Sequence, residues 1–253
     1  MGELNRDTTA CEGPEPREGT LSPQGRVAVV SGAASGIGSA CAAELTARGW
    51  QVAALDLKPA AGVALALVVD MTDGEAVSLA VRRCARELGD IDAVVSVAGT
   101  YEMLAFEQIS ATAWNQMLRL HLGGLLNLAR AAVPDMVRRG GGSVIGISSE
   151  LAVGGGDNDA HYAAAKGAVI GLVRSLAVEL AGTGVRVNAV APGPTDTPMI
   201  GLDSPWRAPA YLATLPARSL VTPQEIALTV AFLIEEGTSF CGEVVSPNAG
   251  AVL

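Results

Sequence analysis

The sequence predicts an α/β protein in which one doubly wound parallel sheet of about seven strands is flanked by helices in a single domain. Short apolar runs rich in Val and Ile alternate along the chain with longer helical segments, a pattern typical of βαβ units. The runs are apolar on both faces, as expected for parallel strands that helices cover on each side. The 253 residues are 49% hydrophobic and 17% charged, which suits a globular chain with a sizeable core.

The predicted elements follow one another in regular order from residue 25. The strands are residues 26–31, 51–55, 64–69, 91–97, 143–147, 185–190 and 243–246. The clearest helices are residues 39–48, 75–88, 112–139, 160–180 and 224–235. Only thirteen residues separate Asp56 from Asp70, and they include Pro59 and Gly62. Because a full crossover needs more chain, the helix between the second and third strands is predicted to be truncated or missing.

Charge and composition exclude several classes of partner. The net charge of −9, from 17 basic and 26 acidic side chains, argues against nucleic acid and against an anionic membrane surface. No apolar run reaches the length of a transmembrane helix. Residues 1–24 are polar and rich in Glu, Pro and Gly, which predicts a disordered tail ahead of one domain over residues 25–253.

The cysteines indicate a reducing compartment. Cys11, Cys41, Cys84 and Cys241 are far apart and show no CxxC or metal-ligand spacing. They are typical of reduced thiols, so a cytoplasmic location is predicted. With only two histidines in the chain, no metal site is expected.

Tyr162 and Lys166 are the most informative pair of side chains. They are four residues apart in a predicted helix, so they lie on one helical face. A cation held beside a phenol favours the phenolate, which is expected to bring the tyrosine pKa closer to neutral for general acid/base chemistry. The alternative is an amphipathic tyrosine beside a lysine whose ammonium reaches solvent.

A glycine-rich loop joins the first strand to the first helix, and it reads Ser31-Gly32-Ala33-Ala34-Ser35-Gly36-Ile37-Gly38. Glycines let a backbone approach a pyrophosphate, and the helix N-terminus supplies N–H donors and a favourable dipole. The position between a strand and a helix predicts a dinucleotide-binding loop. The alternative is a tight strand–helix connection without a ligand.

Asp56 ends the second strand, where a carboxylate meets the adenosine ribose in dinucleotide-binding folds. A carboxylate there accepts bonds from the ribose hydroxyls and repels a 2′-phosphate. Leu57 follows where an arginine would favour that phosphate, and the glycine loop has no basic residue. NAD is therefore predicted over NADP, although Lys58 is close enough in sequence to reach a phosphate.

These features, in this order and spacing, resemble the short-chain dehydrogenase/reductase family from about residue 25 to the C-terminus. Ser149 stands thirteen positions before Tyr162, where the family has a serine. Asp70 ends the third strand and Val97-Ala98-Gly99 follows the fourth, as in the family. The segment Asn188-Ala189-Val190-Ala191-Pro192-Gly193-Pro194-Thr195-Asp196-Thr197 is similar to the family's loop on the nicotinamide side.

The resemblance implies a Rossmann fold, a nicotinamide cofactor and a defined catalytic set. Tyr162 would be the general acid/base, Ser149 would hydrogen-bond the substrate oxygen, and Lys166 would lower the pKa of Tyr162 and bind the nicotinamide ribose. The resemblance, together with the glycine loop, also implies which residues contact the cofactor. They are Gly32, Ser35, Gly36, Ile37, Gly38, Asp56, Leu57, Asp70, Met71, Ala98, Gly99, Tyr162, Lys166, Pro192, Gly193, Thr195 and Thr197.

His121 departs from the family pattern. It stands in Leu120-His121-Leu122-Gly123-Gly124, where the family usually has an asparagine that helps to hold a proton-relaying water. An imidazole also donates and accepts, so His121 is a candidate for the same relay and is counted with the catalytic residues. The alternative is a hydrogen-bonded core histidine.

Three functions stay open. The first is hydride transfer between NAD and a medium-sized apolar or cyclic secondary alcohol or ketone, cis-diols included. The second is reduction of 3-oxoacyl thioesters, and the third is a catalytically silent NAD-binding protein. The apolar loops, with a substrate loop at about residues 194–220, favour a small-molecule substrate. The family resemblance implies a homotetramer.

Overall fold

The computed structural model describes residues 25–252, so the predicted tail lies outside the described residues. One sheet of seven parallel strands has the order β3-β2-β1-β4-β5-β6-β7. The strands are β1 Val27–Ser31, β2 Gln51–Asp56, β3 Leu65–Val68, β4 Ile91–Ser96, β5 Gly142–Ile147, β6 Val185–Val190 and β7 Val244–Val245. The predicted α/β class, parallel sheet and strand number are confirmed.

Five long helices connect the strands, and two short ones lie in the loops. They are α1 Gly36–Ala47, α2 Gly74–Leu88, α3 Ala111–Arg139, α4 Leu151–Gly154, α5 Ala160–Glu179, α6 Pro209–Leu212 and α7 Pro223–Glu235. Two 3₁₀ turns, Phe106–Gln108 and Pro205–Arg207, complete the described chain. The segment between β2 and β3 contains no helix, as its length predicted. No helix within residues 25–252 is long and apolar enough to cross a membrane.

Alternate residues of each strand enter opposite cores. In β1, Val27 and Val29 pack with α2, α3 and α5, whereas Ala28 and Val30 pack with α1 and α7. All four side chains are fully buried. This double burial explains why the strands are continuous apolar runs instead of alternating apolar and polar residues.

The strand order reverses beside β1, because β2 and β3 lie on one side of it and β4 to β7 on the other. The connections from β1 and β4 therefore leave the same edge of the sheet in opposite directions. Such a switch point opens a crevice at the carboxyl ends of the strands, where open α/β sheets bind their ligands.

Candidate active site

The glycine loop is held in a tight turn at this crevice. The Ser31 hydroxyl accepts hydrogen bonds from the backbone N–H groups of Val97 and Ala98, at 3.1 and 3.2 Å. A Cβ added at Gly38 would lie 2.0 Å from the carbonyl oxygen of Gly32, so only glycine fits at that position. The loop thus brings the start of α1 against the end of β4 and leaves its backbone exposed to a ligand.

The Asp56 carboxylate is fixed at the end of β2 by backbone donors on both sides. Its Oδ2 accepts from the N–H of Ala34 at 3.0 Å, and its Oδ1 accepts from the N–H of Lys58 at 3.1 Å. The first contact links the carboxylate directly to the glycine loop. A ribose bound beside this loop would therefore meet a carboxylate in a defined orientation.

One cleft brings the predicted site residues together. Every residue that the sequence assigned to catalysis or to the cofactor lines this cleft. Besides the glycine loop, these residues are Asp56, Leu57, Asp70, Met71, Ala98, Gly99, His121, Ser149, Tyr162, Lys166, Pro192, Gly193, Thr195 and Thr197. The glycine loop and the Asp56 carboxylate suit the phosphates and the ribose of a dinucleotide. The residues present therefore fit the implied cofactor.

Lys166 is buried deep in this cleft, with 4% of its surface exposed. Its ammonium donates a hydrogen bond to the carbonyl of Ile147 at 2.8 Å and lies 5.7 Å from the centre of the Tyr162 ring. Burial lowers the pKa of Lys166 to about 7, because the charged form loses its hydration. Lys166 therefore exchanges a proton close to neutral pH.

Tyr162 packs between other rings of the site. Its ring meets those of Tyr101 and His121 edge to face, with centroids 5.0 and 5.4 Å away. Burial raises the pKa of Tyr162, and the Glu150 carboxylate raises it further. This corrects the predicted lowering by Lys166, since the cost of desolvating the phenolate exceeds any gain from a lysine that is itself easily neutralised.

Ser149 hydrogen-bonds its two following residues and the Tyr162 hydroxyl of α5. Its hydroxyl donates to Glu150 Oε2 at 2.8 Å and accepts from the backbone N–H of Leu151 at 3.2 Å. Glu150 lines the same cleft, and burial raises the pKa of its carboxyl.

His121 reaches the site from α3 and is 3% exposed. Its Nε2 lies 2.9 Å from the carbonyl oxygen of Thr100, whereas its buried Nδ1 has no hydrogen-bond partner within residues 25–252. A Cβ added at Gly99 would lie 2.4 Å from the ring, so the glycine makes room for the imidazole. Burial, and then Lys166, lowers the pKa of His121, which keeps the ring neutral near pH 7.

The substrate end of the cleft is largely apolar. Leu151, Met199, Ile200 and Trp206 line this end of the cleft, and the last three belong to the predicted substrate loop at about residues 194–220. Met103, Phe106 and Val153, in the loops after β4 and β5, are not among the residues that line the cleft.

Tyr101 lines the cleft and was not singled out from the sequence. Its hydroxyl donates to Asp159 Oδ1 at 2.7 Å, which fixes the ring that packs against Tyr162. Asp159 precedes α5 and is fully buried. An acidic residue just before a helix is a sequence signal, but it suggests a helix cap instead of this contact.

Comparisons with known proteins agree with this geometry. A family model described as "Enoyl-(Acyl carrier protein) reductase" matches residues 32–251. Cis-4-hydroxycyclohexanecarboxylate dehydrogenase of Sinomonas cyclohexanicum is 38% identical over 89% of this chain and 96% of its own length. A 3-oxoacyl-[acyl-carrier-protein] reductase of Escherichia coli is 32% identical over 90% and 97%.

Among solved structures, the ligand-free aldohexose dehydrogenase of Thermoplasma acidophilum superposes with a TM-score of 0.83 at 28% identity. The match covers 89% of this chain and 93% of that one. Fold, cleft and relatives agree over nearly the whole described chain. The protein therefore belongs to the short-chain dehydrogenase/reductase family and is an oxidoreductase of that family.

Proposed function

We propose that the protein transfers hydride between NAD and a medium-sized apolar or cyclic secondary alcohol or ketone. The observation that carries this proposal is the meeting of Ser149, Tyr162 and Lys166 in one cleft with the glycine loop and the Asp56 carboxylate. General acid/base groups at a nicotinamide-binding crevice are what alcohol oxidation and ketone reduction require.

The proposed roles follow from the contacts. When bound, the nicotinamide supplies the hydride donor or acceptor. In reduction, the Tyr162 phenol gives its proton to the substrate oxygen. Burial raises the phenol pKa, so Tyr162 is protonated before the reaction begins. The Ser149 hydroxyl orients the same oxygen. Lys166, anchored on Ile147 with a pKa of about 7, supplies or takes up the proton that Tyr162 exchanges.

A cyclic substrate is supported by the cleft and by one relative. Leu151, Met199, Ile200 and Trp206 give the substrate end an apolar lining suited to a carbon ring. The Sinomonas relative is named for a hydroxylated cyclohexane. The test is a screen of NAD reduction with cyclohexanols, cyclic cis-diols and sterols. Cofactor binding without turnover on the whole panel would favour the catalytically silent alternative.

Reduction of 3-oxoacyl thioesters is the second candidate, because a carrier-protein reductase of E. coli is 32% identical. A carrier protein is acidic and would need a basic docking surface. The adjacent Arg138 and Arg139 are basic residues that could form part of one, but they pair with Asp135 and Asp92. We therefore rank this activity second. Faster turnover of an acetoacetyl thioester than of any cyclic ketone would reverse that order.

Asp56→Asn is expected to weaken the proposed preference for NAD. The amide keeps the shape of the side chain but removes the charge that repels a 2′-phosphate. The ratio of kcat/KM for NADPH to that for NADH should rise at least about tenfold, equivalent to about 1.4 kcal/mol. Lys58→Ala tests the neighbouring cation and should lower the same ratio. A wild-type enzyme that uses both cofactors equally would overturn the preference.

His121 is proposed to relay protons to Lys166 through its unpartnered Nδ1. His121→Asn keeps a polar donor and acceptor, so turnover should stay within about tenfold of wild type, whereas His121→Leu should lower it about 10²-fold. Thermal unfolding checks that both variants fold. Equal turnover in all three proteins would leave His121 a core residue only.

We propose a homotetramer in which α3 and α5 pack against a second copy. Trp114 and Leu126 on α3 and Val178 on α5 are large apolar side chains with 39%, 39% and 76% of their surface exposed. Gly171 lies on the exposed side of α5 with open space around it, which permits close approach. A monomer mass in sedimentation equilibrium would refute this assembly.

The buried free thiols of Cys41 and Cys84 suit the proposed cytoplasmic location.

A further inference from the structure

Glu150 is a buried carboxyl group inside the cleft, 7% exposed, and adjacent to Ser149. Within residues 25–252, no lysine, arginine or histidine forms an ion pair with it. Burying a carboxylate without a cation is costly, and the usual response is uptake of a proton. Glu150 can therefore be either ionised or protonated in this cleft, depending on pH.

The main chain holds Glu150 in place. Its N–H donates to the carbonyl of Pro192 at 3.0 Å, and its own carbonyl accepts from Val153 and Gly154 in α4, at 2.9 and 2.8 Å. The residue is thus tied both to the loop after β6 and to the short helix that follows it. Its carboxyl group stays beside Ser149 because its backbone cannot shift independently.

A count of hydrogen bonds at Ser149 shows what this neighbour does. A serine hydroxyl has one proton and two lone pairs. The N–H of Leu151 occupies one lone pair, and the proton goes to Glu150 Oε2. The remaining lone pair faces the Tyr162 hydroxyl, which also hydrogen-bonds Ser149. A substrate oxygen that took the place of this hydroxyl at Ser149 would therefore meet an acceptor. A ketone oxygen also only accepts, and the two would not bond.

Protonation of Glu150 reverses this arrangement. Once the Tyr162 hydroxyl has turned to the substrate oxygen, as in the proposed function, the neutral carboxyl group donates to the Ser149 oxygen and fills its second lone pair. The serine then has two accepted bonds, from Glu150 and Leu151, and its own proton is released toward the substrate oxygen. All three groups are satisfied in this state, and Ser149 can perform the role it has in the proposed function.

We propose that Glu150 is a positioning residue whose neutral form directs the Ser149 proton to the substrate oxygen and whose ionised form withdraws it. The proposal rests on the proposed ketone reduction. Glu150 would thereby make ketone reduction depend on its own ionisation, which Ser149, Tyr162 and Lys166 by themselves do not do.

Burial gives the pH dependence its direction, because it is the largest influence on the Glu150 pKa and raises it. Hydrogen bonds from Ser149 and from the backbone N–H groups of Glu150 and Leu151 lower this pKa, and the Asp159 carboxylate, just before α5, raises it. Tyr162 on α5 and Tyr211 on α6 feel the Glu150 charge, and Lys166 and His121 lie against the Tyr162 ring. Ketone reduction is therefore fully present below the raised pKa of Glu150 and is lost as pH rises through it.

The test compares Glu150→Gln with wild type. The amide donates to Ser149 as the neutral acid does, but it does not titrate. We would measure kcat/KM for reduction of 4-oxocyclohexanecarboxylate and cyclohexanone by NADH from about pH 5 to about pH 9. The ratio of variant to wild type removes the titrations of Lys166, His121 and the substrate, which both proteins share.

The ratio is expected to be near one at low pH and to rise about 10²-fold above the pKa of Glu150, the usual effect of one hydrogen-bond donor at a reacting oxygen. Asp157→Asn, which removes an exposed acid from the same loop, should give a flat ratio. A flat ratio for Glu150→Gln as well would overturn the proposal, and so would a rise for both variants.

A second measurement does not depend on turnover. The infrared absorption of the protonated Glu150 carboxyl group, taken as wild type minus Glu150→Gln, gives its titration directly. The Ser149→Ala variant removes the hydrogen bond that stabilises the carboxylate, so the pKa of Glu150 should rise further. An unchanged titration would contradict the proposal. If wild type reduces neither ketone, the proposed function fails while this measurement still decides the role of Glu150.

Discussion

Tyr162→Phe should lower turnover by about 10²–10⁴-fold and leave cofactor binding unchanged. The change removes only the phenol oxygen, which in the proposed function gives its proton to the substrate oxygen in reduction. The ring contacts with Tyr101 and His121 do not involve that oxygen, so the site should keep its shape. Turnover is measured with the best alcohol of the substrate screen, and cofactor binding by the fluorescence of NADH.

Tyr211, one of the three tyrosines of the chain, provides a matched control for Tyr162. Tyr211 packs edge to face against Trp206 and is not among the residues that line the cleft. Tyr211→Phe makes the same chemical change there and should keep turnover close to that of wild type. If Tyr162→Phe retained more than about a tenth of wild-type turnover, a general acid/base role for this phenol would be excluded.

Gly38→Ala is expected to give the largest loss of stability and of cofactor binding. The new methyl group would lie 2.0 Å from the carbonyl oxygen of Gly32, and neither backbone can yield easily. Gly32 is anchored by its N–H on the carbonyl of Leu55 at 2.8 Å, and Gly38 lies within α1. Overpacking of this severity costs about 3 kcal/mol or more.

For a chain of this size, about 3 kcal/mol lowers the melting temperature by about 6–12 °C. Thermal unfolding and NADH titration would measure both effects. Gly123→Ala in α3 is the matched control, because the nearest heavy atom to its new Cβ is the carbonyl oxygen of Leu118 at 3.9 Å. That variant should be as stable as wild type or slightly more stable. A melting temperature for Gly38→Ala within about 1 °C of wild type would contradict the collision.

Much of the fold was predictable because it depends on local pattern. Seven runs apolar on both faces predict seven buried parallel strands, and the structure has seven. The short, Pro- and Gly-containing connection after Asp56 predicts the missing helix, since chain length alone limits what fits there. The last strand was predicted over four residues and spans only Val244–Val245, because its ladder with β6 is short.

The lining of the cleft was also predictable, because its residues follow strand ends or stand at helical spacing. Parallel strands bring their carboxyl ends to one edge, so Asp56, Ala98 and Ser149 converge without any knowledge of side-chain packing. The four-residue spacing of Tyr162 and Lys166 places both on the face of α5 that lines the cleft.

What the sequence by itself determined is therefore the fold class, the edge of the sheet that carries the site and most of the polar residues at that edge, though not Tyr101. Only the tertiary structure decided the raised pKa of Tyr162, the pKa of about 7 for Lys166 and the contact of Tyr101 with Asp159. Strand and helix periods are local properties of the chain. Desolvation and side-chain orientation depend on groups that folding brings together from distant segments, so no local pattern encodes them.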